Sequence, residues 1–176
     1  MSPVRRLAGA VACLAGLAGG SVMHPHAMAE AKRSKATAGQ SGSAAAQQII
    51  ALTNRERASH GLAPLKIDRR CVQAIGGHVS DMARGGFLSH EGSDGRGPDA
   101  RFKRYSPKSL GAGENVAYNA EGTGASFMRQ WMNSSGHRNN ILNPRYKGIG
   151  AAVRANCSRA EERGKCYYYA GQCFSL

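Results

Sequence analysis

Acidic residues are scarce in this chain. Eleven Asp and Glu stand against 24 Lys and Arg, a formal net charge of +13 over 176 residues. The imbalance points to acidic partners such as nucleic acid, anionic lipid or anionic cell-wall polymer, without choosing among them. Aromatics are few, 6% of the chain with one Trp, so a core has to be aliphatic or stapled. There is no Walker loop, no His-Glu-x-x-His and no Gly-x-Ser-x-Gly, which removes the common sequence signatures of nucleotide, zinc-peptidase and serine-hydrolase chemistry. No Cys-x-x-Cys pair occurs, so a zinc site built on sulfur is not expected. The composition excludes a multi-pass membrane protein, a collagen-like chain and a coiled coil. What remains is room for one ordinary domain.

The long uncharged apolar run lies at the N-terminus. Arg5 and Arg6 precede the stretch Leu7 to Val22, and Ala27-Met28-Ala29 supplies the small-x-small pattern of a cleavage site. This is the layout of a secretory signal peptide over residues 1–29. A membrane anchor is the weaker reading, because the run is poor in large apolar residues and broken by Gly19, Gly20 and Pro25. Cleavage would remove Cys13 and leave four cysteines, Cys71, Cys157, Cys166 and Cys173, with 22 basic and 11 acidic residues. An even count in an exported chain reads as two disulfides, for which three connectivities exist.

Residues 30–43 are Ala, Lys, Ser and Gly with little to bury, and read as a disordered basic linker able to contact an anionic surface. The domain is expected over 44–176. Ala44 to His60 is helical in pattern, with Ser43 as cap and Gly61 as stop. Gly61 to Leu65 reads as an extended turn. Asp68 caps a second helix carrying Cys71, Ile75, His78, Val79 and Met82, ended by Gly85-Gly86. Pro98 to Arg104 predicts one or two helical turns, Asn115 to Asn119 a short strand, and Thr123 the cap of a third helix with Phe127, Met128, Trp131 and Met132 on its apolar stripe. Arg138 to Leu142 predicts a last turn. Lys147 to Cys157 and Cys166 to Phe174 predict two strands around a charged hairpin loop. Helices first and strands late give an α+β layered domain. Pairing across that hairpin predicts Cys157–Cys166, which leaves Cys71–Cys173 to tie the second helix to the last strand.

Three polar residues stand out in the Gly/Ser-rich breaks: His90, Glu114 and His137. Two imidazoles and a carboxylate suit a weakly held divalent metal such as zinc, general acid–base work, or a hydrogen-bonded polar cavity. His78 lies on the apolar face of its helix and reads as a core histidine, and His60 as a helix C-terminal residue facing the dipole. Ser134 and Ser135 sit on no nucleophile elbow and read as capping residues.

Several segments resemble the CAP superfamily, which covers cysteine-rich secretory proteins, antigen 5 and pathogenesis-related proteins and is also called the SCP domain. They are Asn54-x-x-Arg57-x-x-x-Gly61-Leu62-x-Pro64-Leu65-x-x-Asp68 with Ala74-x-x-x-His78-x-x-x-Met82; Phe87-Leu88-Ser89-His90; Gly113-Glu114-Asn115-Val116-Ala117; Trp131 through Leu142; and Lys147-x-Ile149-Gly150. Their order and spacing resemble the bacterial branch. The resemblance implies an α-β-α sandwich with a central antiparallel sheet between helical layers, and a central cleft. In that cleft His90 matches the first family His, Glu114 the first Glu and His137 the second His. Ser134 stands where the second Glu falls, so the tetrad is incomplete and a tight metal site is not implied. The family has no single activity. Three functions are open: a secreted binding module for a lipid, cell-surface or protein ligand; a divalent-metal-assisted hydrolase or peptidase with Glu114 as base; and an envelope-tethered structural protein held by residues 30–43. Secretion or a periplasmic location, a monomer and no specific nucleic-acid partner are expected.

Overall fold

The structure, a computed structural model, describes residues 25–158 and 166–176, with side chains from 42 onward. The apolar run expected as the core of a signal peptide lies outside the described residues. Among the described residues, five helices and four strands follow in the order α1 (Pro25–Ser59), β1 (Lys66–Ile67), α2 (Arg69–Gly85), α3 (Pro98–Lys103), β2 (Ala112–Asn119), α4 (Gly124–Met132), α5 (Ser135–Ile141), β3 (Gly148–Asn156) and β4 (Tyr167–Ser175). Among the described residues no helix is long and apolar enough to cross a membrane.

The sheet has the order β1-β3-β4-β2. β4 runs antiparallel to both neighbours, and β1 pairs parallel with β3 through Lys66 and Ile67. The centre of the sheet is antiparallel, as expected, and the short parallel edge makes it mixed. The segment expected as an extended turn stops at Leu65, and the next two residues complete the sheet.

Period-two alternation sends the strands into two cores. Ile149, Ala151, Val153, Ala170 and Phe174 face α1 and α4, where they meet Ile49, Phe127, Trp131 and Ile141. Ala152, Tyr169, Val116 and Cys173 face the opposite way, onto Cys71, Ile75, Val79 and Met82 of α2 and Phe102 of α3. The result is helices on both sides of one sheet. Gly150 makes the second interface close: a Cβ there would strike the backbone of Cys71 and Val72.

Local chemistry explains most element boundaries. The Asp68 carboxylate accepts from Arg70 N at the start of α2, and Gly86 at its end adopts φ 66, with its N–H donating to Met82 O. Thr123 caps α4 by accepting from Ser126 N. Ser134 occupies the N-cap position of α5, but its hydroxyl makes no capping bond; its carbonyl accepts from Arg138 N at 2.8 Å. At the N-terminal end the structure differs from expectation. Ser43 does not start α1, whose backbone is helical back to Pro25, across the segment read as a linker. Propagating an existing helix costs far less than nucleating one, and the packed part of α1 that follows supplies the nucleus. The packed part begins at Gly42, which lies against the Val153 carbonyl. From there Ala45, Ile49, Thr53 and Arg57 form a single buried stripe at four-residue spacing.

Both disulfides are those expected. Cys71–Cys173 joins α2 to β4, and Cys157–Cys166 closes the β3–β4 hairpin.

Candidate functional site

β2 is an edge strand, and the two sides of the sheet meet around it. Adjacent residues on a strand point to opposite faces, so Glu114 and Asn115 serve different layers. Glu114 lies opposite Cys173 on the α2 side and Asn115 opposite Gln172 on the α1 side.

The Asn115 side anchors the cleft. Asn115 Nδ2 donates to His137 O at 3.0 Å and to Gln172 Oε1 at 2.9 Å. Gln172 Nε2 donates to Thr53 Oγ1 at 2.7 Å, and Thr53 donates on to Ile49 O. Asn140 Nδ2 donates to Asn115 Oδ1 at 2.9 Å and to Glu114 O at 3.1 Å. This buried amide chain satisfies each member with its neighbour and fixes α5, and with it His137, against the strand.

The Glu114 side carries the charge. Its carboxylate is buried. Oε2 accepts from Arg101 Nη2 at 2.7 Å, and Oε1 accepts from His90 Nδ1 at 2.9 Å. His78 Nε2 lies 3.9 Å from Oε1 and donates to Ser89 O at 2.8 Å. Arg101 also donates to His90 O and Arg96 O, so one guanidinium holds the carboxylate and both ends of the loop before α3. The loop carrying His90 is thus pinned by α2 through His78 and by α3 through Arg101.

The imidazoles titrate in different directions. The hydrogen bond to Glu114 raises the His90 pKa above the usual histidine range, against some desolvation. Burial lowers that of His78, which has no exposed side-chain surface. Burial also lowers that of His137, and the charge on nearby His90 adds to the effect. His137 Nδ1 is buried without a hydrogen-bond partner. The His90 side chain, by contrast, is 54% exposed. It is the reachable member of the cluster.

Of the three residues singled out in the sequence, His90 and Glu114 meet side chain to side chain. His137 is joined through its carbonyl to Asn115 and through the charge of His90. Ser134 makes no hydrogen bond to any of them. Arg101 was not singled out. It lies in the basic run Arg101-Phe102-Lys103-Arg104, where no sequence pattern marks which cation turns inward. His78 is buried as expected, and it also borders the charged cluster.

The donor set does not suit a metal held jointly by His90, Glu114 and His137. Both Glu114 oxygens are engaged, one by a permanent cation, and His90 presents its Nδ1 proton to the carboxylate. Among the described residues there is no group of three or more His, Cys, Asp or Glu side chains placed to hold a metal ion.

A sandwich of this topology, with a His–Glu cleft at its edge strand, agrees with the family match: the model of CAP, the cysteine-rich secretory protein family, covers residues 50–173. The chain belongs to this family. Among curated proteins it is 35% identical over 124 residues to the uncharacterized protein YkwD of Bacillus subtilis (strain 168), covering 70% of this chain and 48% of that protein. It is 36% identical over 107 residues to the uncharacterized membrane protein YlbC of the same strain, covering 61% of this chain and 31% of that one. The chain therefore spans about half and about a third of these relatives. Among solved structures, an extracellular SCP-domain protein from Bacillus anthracis str. Ames superposes with a TM-score of 0.64 at 29% identity, over 77% of this chain and 41% of that one. An outer surface protein from Borrelia burgdorferi gives 0.61 at 15% identity, over 72% and 88% of the two chains, a likeness of fold alone.

Proposed function

We propose that this CAP domain is an exported binding module whose cleft recognises its ligand through hydrogen bonds from a prearranged polar floor. The observation that carries this reading is the engagement of Glu114. Its two oxygens are taken by Arg101 and His90, so the carboxylate acts as a fixed anchor and is not free to serve as a base or a metal ligand. What it holds in place is available: the His90 side chain is half exposed, with its Nδ1 held on Glu114. A site organised this way positions donors and acceptors at fixed points, which suits recognition. The hydrolase alternative needs an open metal coordination set or an unencumbered base, and Glu114, held by Arg101 and His90, supplies neither.

Export is supported by two disulfides, which persist in oxidising compartments, and by the likeness to the extracellular SCP-domain protein of Bacillus anthracis str. Ames. The signal peptide over residues 1–29 and the anionic-surface contact of residues 30–43 belong to the same proposal. The ligand class is a lipid or another cell-envelope component.

The test is native purification followed by organic and aqueous extraction and mass spectrometry, on wild type and His90→Ala. A co-purifying compound present with wild type and depleted with the variant is expected. Hydrolysis of a peptide library that is abolished by chelator, restored by zinc and lost in His90→Ala would overturn the reading.

A further inference from the structure

The far end of β2 carries an aromatic group that neither core absorbs. Tyr118 stands on the α2 side of the strand, as Glu114 and Val116 do, and directly opposite Tyr169 of β4. Tyr118 is 46% exposed, whereas Tyr169 is buried. Their rings stack with centroids 5.7 Å apart and planes 20° apart, and the Tyr167 ring tilts against Tyr118 at 6.0 Å. β2 is the edge strand and β4 lies inward of it. Tyr169 therefore covers the inner face of the Tyr118 ring, and the exposed surface belongs to the outer face. No hydrogen bond among the described residues engages the hydroxyl of Tyr118 or of Tyr167. A ring already packed against a buried neighbour loses little rotamer freedom when a ligand settles on it.

Planar polar groups flank the ring. Gln130 lies across the free edge of the strand: its Nε2 donates to Tyr118 O at 3.4 Å, and its Oε1 accepts from Asn119 Nδ2 at 2.9 Å. Asn119 Oδ1 accepts from the N–H groups of Glu121 and Gly122, which fixes the turn after β2. Glu121 then meets Arg129, the neighbour of Gln130. Arg129 Nη2 donates to Glu121 Oε2 at 2.8 Å, and both side chains are 62% exposed. Glu121 Oε1 and the other Arg129 N–H groups keep their bonding capacity.

The charge at this corner selects the partner. The chain has more than twice as many basic as acidic residues, yet here the cation is matched by a carboxylate and the remaining groups are amides and phenols. Such a surface offers an anionic polymer little and suits an uncharged polar molecule. A pyranose ring has the matching shape. Its axial C–H groups form an apolar face that lies on an aromatic ring, and its equatorial hydroxyls point outward to donors and acceptors around the rim. A purely apolar chain would cover those polar groups without bonding them.

We propose that this corner of the sheet is a carbohydrate-binding platform for a neutral pyranose glycan. Tyr118 is the stacking ring, and Glu121 and Arg129 bond the sugar hydroxyls. The platform uses no residue of the His90–Glu114 cleft, so it stands or falls separately from the function proposed above.

The experiment is calorimetric titration of the purified protein with chitotetraose, cellotetraose and tetragalacturonate, at low salt and at about 0.3 M salt, where interactions between exposed charges are largely screened. It is repeated on Tyr118→Ala, Tyr118→Trp and Arg129→Ala, the last of which changes one exposed side chain and leaves the ring in place. Saturable binding of a neutral tetrasaccharide that persists at the higher salt is expected. Tyr118→Ala and Arg129→Ala should each weaken it at least about fivefold, and Tyr118→Trp should keep it. Chitotetraose exceeding cellotetraose would identify an N-acetylated glycan, and the reverse a plain glucan, both within the proposal. No saturable binding of either neutral sugar, equal binding by wild type and Arg129→Ala, or binding of tetragalacturonate alone that fades with salt would overturn it.

Discussion

Replacing Arg101 by Met should be among the most damaging single changes available in the cleft. The substitution keeps most of the side chain's bulk and removes the guanidinium. Glu114, 5% exposed, then keeps its bond to His90 but loses the 2.7 Å charge-assisted bond from a partner itself only 10% exposed. Breaking a buried ion pair from one side costs about 3–5 kcal/mol, because the remaining charge stays desolvated. His90 still serves one oxygen, which argues for the lower half of that range. Part of the loss comes from the carbonyls of His90 and Arg96, which also lose their donor. A double-mutant cycle with Glu114→Gln separates the two contributions. Removing both charges leaves no stranded carboxylate, so the double variant should be more stable than the sum of the singles predicts, by at least about 1.5 kcal/mol. Urea unfolding followed by circular dichroism measures all four proteins. If Arg101→Met lies within about 1 kcal/mol of wild type, the value of an ordinary surface change, the reasoning fails.

Three further outcomes follow from other parts of the fold. Gly150→Ala should destabilise by about 1–3 kcal/mol in thermal or urea unfolding, because its Cβ meets the backbone of α2 and only a helix shift relieves the clash. The disulfides should differ: on loop entropy alone, Cys71–Cys173 with a separation of 102 contributes about 4.7 kcal/mol, and Cys157–Cys166 with a separation of 9 about 2.7. Paired Cys→Ala variants should show that order. For pH, the depressed pKa values of His78 and His137 give stability present above the unfolded value near 6.5 and lost as pH falls through their folded values. The raised pKa of His90 acts oppositely, with stability present below about 6.5 and lost as pH rises through its folded value. Urea midpoints should therefore fall on acidification below about 6.5 in wild type and in His90→Gln alike, and His90→Gln should lack the loss of stability that wild type shows as pH rises from about 6.5 through the raised folded value of His90.

Helices α2 and α4 are plain in the sequence because each carries its own signals. Asp68 and Thr123 accept from their first turns, and the apolar stripes Cys71-Ile75-Val79-Met82 and Phe127-Trp131 repeat at helical spacing. β1 carries none: Lys66 and Ile67 are both exposed, and two residues cannot show an alternation. Asn54 and Arg57 were visible as motif residues, but their purpose was not. Asn54 exchanges two hydrogen bonds with the Leu65 backbone. Buried Arg57 donates to the carbonyls of Ala63, Ile141 and Asn143, two of them more than 80 residues away. Such acceptors exist only after the chain has folded. The cleft shows the same limit. His90, Glu114 and His137 came forward through their positions in loop-like breaks and through family resemblance. That Arg101, and not Lys103 or Arg104, turns inward to Glu114 is decided by how α3 packs on β2.

The most direct test of the central claim, that Glu114 is a committed anchor of a recognition cleft, is zinc titration of the wild-type protein at neutral pH, beside His90→Ala and His137→Ala. No stoichiometric binding at micromolar protein is expected, because the carboxylate is held by Arg101 and the two imidazoles lack a third ligand. One-to-one binding by wild type that disappears in both variants would contradict the account and return the cleft to metal chemistry.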